Sequence, residues 1–297
     1  MTRVAKRGRM PSENILTLLF PMKKNPLALL LLSLICLGNF PAQVDAETVL
    51  EKIQRTGELN AGARIDAIPF GYKTDKGEWT GYSVDLLKLI QQDLEKKFNK
   101  PIKLNLKEVT IDSRFQAIEK QEVEIVCGAT TVTQQRLEKV DFSLPFFMTG
   151  SQFLVKLEDA ANFDINGTLK DVSIAYIPHT TTDEIIRQIY PFARWQPVRN
   201  REEGVKKLKQ GAVTAVVSDG ILLVGEIVRQ GNEPRDFEIM PNVPMTTELY
   251  ACILPKNNPE WQEFVDQTIS SQNNAQLQQR WFNLETGPFP YIIHTNP

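Results

Sequence analysis

The chain of 297 residues carries 34 basic and 36 acidic side chains, a formal net charge of −2, and is 42% hydrophobic and 24% charged. This balance excludes a disordered, collagen-like or strongly basic chain, and the length suffices for one large core or two modest ones. With only two histidines, His179 and His294, a histidine metal cluster has too few ligands.

The N-terminal segment differs from the rest. Met22-Lys23-Lys24 is positive, Leu27 to Leu37 is apolar apart from Ser33, and Val44-Asp45-Ala46 places small residues at a cleavage point. Residues 1–46 therefore read as a secretory signal peptide cut after Ala46, with the start at Met1 or at Met22. A retained anchor helix is the alternative, although the apolar run is short for a membrane span. Cys36 follows Ile35, which is too bulky for lipid attachment. Removing 1–46 takes away six basic and two acidic residues and leaves a net charge of −6. Such a surface does not favour nucleic acid, so an anionic ligand needs a local basic cluster. The expected location is the periplasm. Of the cysteines, Cys127 and Cys252 remain. An oxidising compartment predicts a disulfide between them on neighbouring strands, worth about 4–5 kcal/mol in the chain-entropy description; two buried thiols are the alternative.

In chain order, 59–63 reads as a short strand, followed by turns at Pro69-Phe70-Gly71-Tyr72 and Asp75-Lys76-Gly77. Residues 83–98 form an amphipathic helix with Leu87, Ile90, Leu94 and Phe98 on one face, stopped by Pro101. Then come a strand at 103–109, a short helix at 115–119 and a strand at 123–127 that ends at Gly128. The middle repeats the rhythm: strands at 152–157 and 172–177, helices at 181–190 and 202–210, a buried strand at 213–217, and a helix at 221–230. A strand at 249–254 and helices at 261–270 and 274–282 follow. The alternation predicts an α/β fold with mainly parallel sheets.

Four stretches carry the chemical signal. They are Gly62-Ala63-Arg64 with Ile68-Pro69-Phe70 and Gly81-Tyr82-Ser83-Val84-Asp85; Cys127-Gly128-Ala129-Thr130-Thr131 running through Arg136 to Val140-Asp141-Phe142-Ser143-Leu144-Pro145-Phe146; His179-Thr180-Thr181-Thr182; and Ala215-Val216-Val217-Ser218-Asp219. A free amino acid presents a carboxylate and an ammonium at fixed spacing. Arg136 offers a guanidinium fork for the carboxylate, with Thr131 placed to help. Asp219, at the end of a buried strand, offers an acceptor for the ammonium; it also suits a helix N-cap before Gly220.

In the order and type of these stretches, 47–297 resembles the extracellular solute-binding proteins of polar amino acid ABC importers. The block from Cys127 to Phe146 and the Tyr-x-Cys at Tyr250–Cys252 resemble the glutamate/aspartate-binding branch. The resemblance implies a type II periplasmic binding protein. It would have two α/β lobes, each a mostly parallel sheet flanked by helices, joined by two crossing strands. Lobe one would take 47–150 and 246–297, and lobe two 151–245. The ligand would sit in the cleft and be held by hinge closure. A monomer would deliver it to a permease, without cofactor, metal or nucleic acid. The resemblance also implies ligand roles for Thr180 at a helix N-terminus, for the Ala129 carbonyl and the Thr131 hydroxyl, and for Arg64, Arg114 and Arg201 around a distal carboxylate. Arg201 falls where that branch has a histidine. Phe70 reads as an apolar wall of the pocket or as core, Arg64 and Arg114 as ligand groups or solvated charges, and Arg201 as a ligand group or part of the surface run with Arg199, Glu202 and Glu203. The family often has glycine where this chain has His179. Rival readings are an exported enzyme on the same fold, similar to the cyclohexadienyl dehydratases, which needs a general acid in the cleft, and the sensor domain of a receptor. Glutamate, aspartate and their amides are left unranked.

Overall fold

The computed structural model describes residues 47–231 and 234–283. The expected signal peptide with its Ala46 junction, and His294, lie outside the described residues.

Two five-stranded sheets organise the chain. In the first, Lys103–Glu108, Glu58–Ala63 and Ile125–Val126 run parallel, and Ile253–Leu254 lies antiparallel between Ile125–Val126 and Asp141–Phe142. In the second, Arg194–Pro197, Ser173–Tyr176 and Ala215–Asp219 are parallel, and Ser151–Lys156 and Phe237–Met240 continue the sheet antiparallel. This is an α/β architecture in which the parallel strands are the ones joined by helices. The antiparallel strands are those by which the chain enters and leaves each sheet, and such strands need no crossover helix.

Local sequence accounts for the helices. Tyr82–Phe98 buries Leu86, Leu87, Ile90 and Leu94 against the first sheet and ends at Asn99 in the left-handed conformation. Val49–Thr56, not anticipated from periodicity, starts on a capping box of Thr48 and Glu51 and ends at Gly57. The strand Ala215–Asp219 is buried at every residue, so its apolar run lacks the alternation of a half-exposed strand. Among the described residues no helix is long and apolar enough to cross a membrane.

The chain passes from the first sheet to the second through Phe147–Thr149 and returns through Glu248–Tyr250, and these two segments pair antiparallel with Tyr250 opposite Phe147. At Gly150 the two passages nearly touch: a Cβ there would lie 1.8 Å from the Thr246 carbonyl oxygen, so only glycine fits. Beyond Tyr250 the chain switches partners. The single strand expected at 249–254 is therefore two, Glu248–Tyr250 and Ile253–Leu254. At the switch, Cys252 is joined to Cys127 by a disulfide.

Each sheet has its own apolar clusters. Ile221 and Leu222, at the start of the helix Gly220–Arg229 that follows the second sheet's central strand, are buried in the first sheet's core. The C-terminal ends of the parallel strands of both sheets lead into Arg64, Val109, Ile177, Val198 and Asp219, and the first four of these or their neighbours line an open cleft of about 720 Å³.

Candidate ligand-binding site

Charge is concentrated where the two sheets face each other. Arg64 follows the strand Glu58–Ala63 and is only 2% exposed. Its Nε and Nη2 donate to the two carboxylate oxygens of Asp66 at 2.8 and 2.9 Å, and its Nη1 donates to the Ala129 carbonyl at 3.2 Å. Burial alone would lower the pKa of Arg64, but the contact with Asp66 leaves it raised. In turn Asp66, although burial opposes its ionisation, is held well below the usual carboxylate range by Arg64 and Arg201.

Arg114 opens the short helix Arg114–Glu119 and is 3% exposed. Its Nη1 donates to the Ile111 carbonyl, but its buried Nε has no partner among the described residues. Burial first, then the neighbouring charges of Arg64 and Arg136, push its pKa well below the ordinary arginine value. Arg136 sits in Gln134–Leu137, capped by the Thr133 hydroxyl, and donates through Nη1 to the Thr131 carbonyl at 2.7 Å. The Arg114 and Arg136 guanidinium carbons lie 4.7 and 5.5 Å from the same Phe115 ring. This ring, missed by motif reading, gives both cations an electron-rich face.

The second sheet contributes the rest. Arg201 begins the helix Arg201–Lys209 behind its Asn200 cap and is buried, not part of a solvated charge run. Its Nε donates to the Ser218 hydroxyl at 2.8 Å and its Nη1 to the Asp66 carbonyl at 3.1 Å, so it reaches across to the first sheet. Burial, then Arg64, lower its pKa. Asp219 is in N-cap position but makes no side-chain cap bond. Its carboxylate instead accepts from the Thr182 hydroxyl at 3.2 Å and from the Tyr250 hydroxyl. Burial and then Asp219 push Tyr250 well above its ordinary value.

Glu248 was also missed, and Tyr250 was read only as part of Tyr-x-Cys and not as a residue of the site. They lie two residues apart on one strand and both point inward, while Leu249 between them is exposed. The visible signal was a glutamate on the same strand face as the tyrosine of Tyr-x-Cys. Glu248 accepts from the hydroxyls of Thr181 and Thr246, each at 3.0 Å. Burial and the nearby Asp219 raise its pKa above 4.5.

Three expected contacts stand differently. Phe70 is fully buried, with ring centroids of Tyr82, Phe147, Tyr250 and Phe282 at 5.0–6.1 Å. It is core behind Tyr250 and not a wall of the site, because the turn at Pro69 directs the ring into the first sheet's aromatic cluster. The Thr180 hydroxyl is engaged locally: it accepts from Asp183 N at 3.1 Å and donates to the Ile177 carbonyl at 2.9 Å. The threonines of that helix that reach the buried acids are Thr181 and Thr182. His179, where glycine was expected, has φ of 63°, in the region where glycine is at ease. Its backbone N–H donates to Asp183 and its exposed Nδ1 lies 3.4 Å from Asp112.

Four guanidinium groups and the carboxylates of Asp66, Asp219 and Glu248 are thus gathered between two sheets joined by paired crossings. Residues 59–284 match the family model of the bacterial extracellular solute-binding proteins, family 3. The chain belongs to this family. Among family 3 relatives, the glutamate/aspartate import solute-binding protein of Escherichia coli K12 is 26% identical over 247 residues, covering 80% of this chain and 79% of that protein. The L-glutamate/L-aspartate-binding protein of Pseudomonas aeruginosa is 28% identical over 251 residues, covering 81% of each. In fold, the chain is similar to an ancestral amino acid-binding protein, a precursor of cyclohexadienyl dehydratase, with a TM-score of 0.68 at 24% identity, covering 80% of this chain and all of that one.

Proposed function

We propose that this family 3 protein binds a free acidic amino acid, glutamate or aspartate, between two lobes and passes it to an ABC importer in the periplasm. The observation that carries the reading is the buried guanidinium of Arg114, without a carboxylate partner among the described residues and crowded by Arg64 and Arg136. A buried charge in that position is costly until an anion meets it. In this reading lobe one is 47–150 with 246–297, and lobe two is 151–245. Arg136 and Thr131, with the backbone N–H groups of the helix N-terminus at Thr180 from the second lobe, take the α-carboxylate. Asp219 and the Ala129 carbonyl take the ammonium. Arg114, Arg201 and Arg64 surround the distal carboxylate.

Hinge closure follows from contacts that span the lobes, such as Arg201 to Asp66, because a ligand that touches both sides favours the closed population. The relatives named above support transport over catalysis. The protein acts as a monomer, exported by cleavage after Ala46, and needs no cofactor.

Calorimetric titration of residues 47–297, stripped of ligand by unfolding and refolding, with glutamate, aspartate, glutamine and arginine tests the reading. Micromolar or tighter binding of an acidic amino acid, lost in Arg136→Ala, is the expected result. Binding of none of the four, together with turnover of prephenate or arogenate, would replace it with the enzyme reading.

A further inference from the structure

Asp66 belongs to none of the motif positions discussed above, yet it touches both sheets. Its carboxylate takes two hydrogen bonds from Arg64 at 2.8 and 2.9 Å, and its backbone carbonyl takes one from Arg201 at 3.1 Å. The Asp66 side chain is 30% exposed and borders the cleft. With the Ala129 carbonyl on Nη1, every nitrogen of Arg64 has a partner within the protein. The four guanidiniums are therefore unequal. Among the described residues, Arg64 is charge-matched at contact distance, Arg136 and Arg201 have only neutral hydrogen-bond partners, and Arg114 has a bare Nε.

We propose that Asp66 is a specificity-determining residue: by neutralising Arg64 it limits how strongly the pocket favours a charged distal carboxylate over the neutral amide. The inference rests on the acidic amino acid reading and adds to it a residue that works against the ligand's charge. Two anions near one guanidinium repel each other, so the Asp66 carboxylate weakens a ligand carboxylate and leaves a ligand amide almost untouched. Asp66 is ionised wherever binding would be measured, since Arg64 and Arg201 hold its pKa well below the usual range. A residue that merely aims Arg64 at the ligand would act in the opposite sense, because its loss would weaken glutamate.

The experiment is titration of the wild type, Asp66→Asn, Asp66→Glu, Arg64→Gln and the double variant Arg64→Gln/Asp66→Asn with glutamate and with glutamine at pH 7. The expected result is tighter glutamate binding by Asp66→Asn, by about tenfold, with glutamine unchanged within about threefold. Asp66→Glu, which restores the charge, should return glutamate affinity to within about threefold of the wild type. The double variant, read against Arg64→Gln, decides the matter if Asp66→Asn does not fold, because the two lack the same guanidinium and differ only in the Asp66 charge. It should bind glutamate about tenfold more tightly than Arg64→Gln, with glutamine unchanged within about threefold. Weaker or unchanged glutamate binding by a folded Asp66→Asn, or no gain in glutamate affinity of the double variant over Arg64→Gln, would overturn the proposal and leave the acidic amino acid reading standing. A wild type that binds neither ligand would overturn both.

Discussion

Replacing Arg114 with methionine should raise the stability of the ligand-free protein and sharply weaken its ligand. The two effects have one cause. Arg114 is only 3% exposed, and its Nε has no acceptor among the described residues. An unsatisfied buried donor costs about 1–3 kcal/mol, and more when charged. Methionine fills similar space without charge. Against that gain stand the contact with Phe115 at 4.7 Å and the hydrogen bond to the Ile111 carbonyl. The first is worth about 0.5–2 kcal/mol and the second about 1 kcal/mol. Repulsion from Arg64 and Arg136 tips the balance toward the variant, and a net gain of about 1 kcal/mol moves the melting temperature up by roughly 2–4 °C at this size. With ligand the sign reverses. Losing one partner of a buried charge pair costs about 2–5 kcal/mol, which is a roughly 30- to several-thousand-fold weaker Kd. Differential scanning fluorimetry of stripped protein and calorimetry with glutamate read the two quantities separately. A lower melting temperature with unchanged glutamate affinity would show that Arg114 is a structural cation and that the charge argument is wrong.

Three further outcomes are expected. Gly225→Ala places a Cβ 2.2 Å from the Ile68 carbonyl oxygen, across the two sheets; the overpacking, about 1–3 kcal/mol, should weaken glutamate roughly 5- to 150-fold, and small-angle scattering should show a more open ligand-bound particle, whereas unchanged dimensions and affinity would count against closure at this contact. For Glu248, whose folded pKa is raised above 4.5, the linked stability is present below 4.5 and is lost as pH rises through the raised value; Glu248→Gln should therefore flatten the decline in melting temperature from pH 4.5 to pH 8, and parallel curves for the two proteins would refute this. The disulfide closes a separation of 125 residues, so Cys127→Ala/Cys252→Ala should lower the unfolding free energy in urea by about 2–4 kcal/mol; two titratable thiols in the unreduced, denatured protein would show the bridge is absent.

Much of the candidate site was legible because its residues sit in short, ordered blocks. Arg64, Arg114, Arg201 and Asp219 lie at or beside the ends of strands or the starts of helices that periodicity could locate, whereas Thr131 and Arg136 follow the strand Ile125–Val126 in a block that periodicity did not resolve. What was not legible is which charge meets which. Asp66 is two residues from Arg64, close enough to have been noticed, but a sequence does not say that both side chains turn to the same side. Glu248 sits beside Thr181, 67 residues away along the chain. Phe70 stood equally as wall or core, and the aromatic cluster that decided it draws on Tyr82, Phe146, Tyr250 and Phe282, scattered over the whole chain.

By itself the sequence determined the alternation of strands and helices, since the spacing of apolar residues dictates which local conformation can bury them. It also supplied two cysteines, though not whether they are bridged, and the residue types needed to hold a carboxylate and an ammonium. Only the tertiary structure decided the order of strands within each sheet, the antiparallel strands at each sheet's passage, the partner switch after Tyr250, and the pairing of Arg64 with Asp66 while Arg114 goes unmatched. Those depend on contacts between segments far apart in the chain, and long-range electrostatics and packing leave no periodic trace in a single sequence.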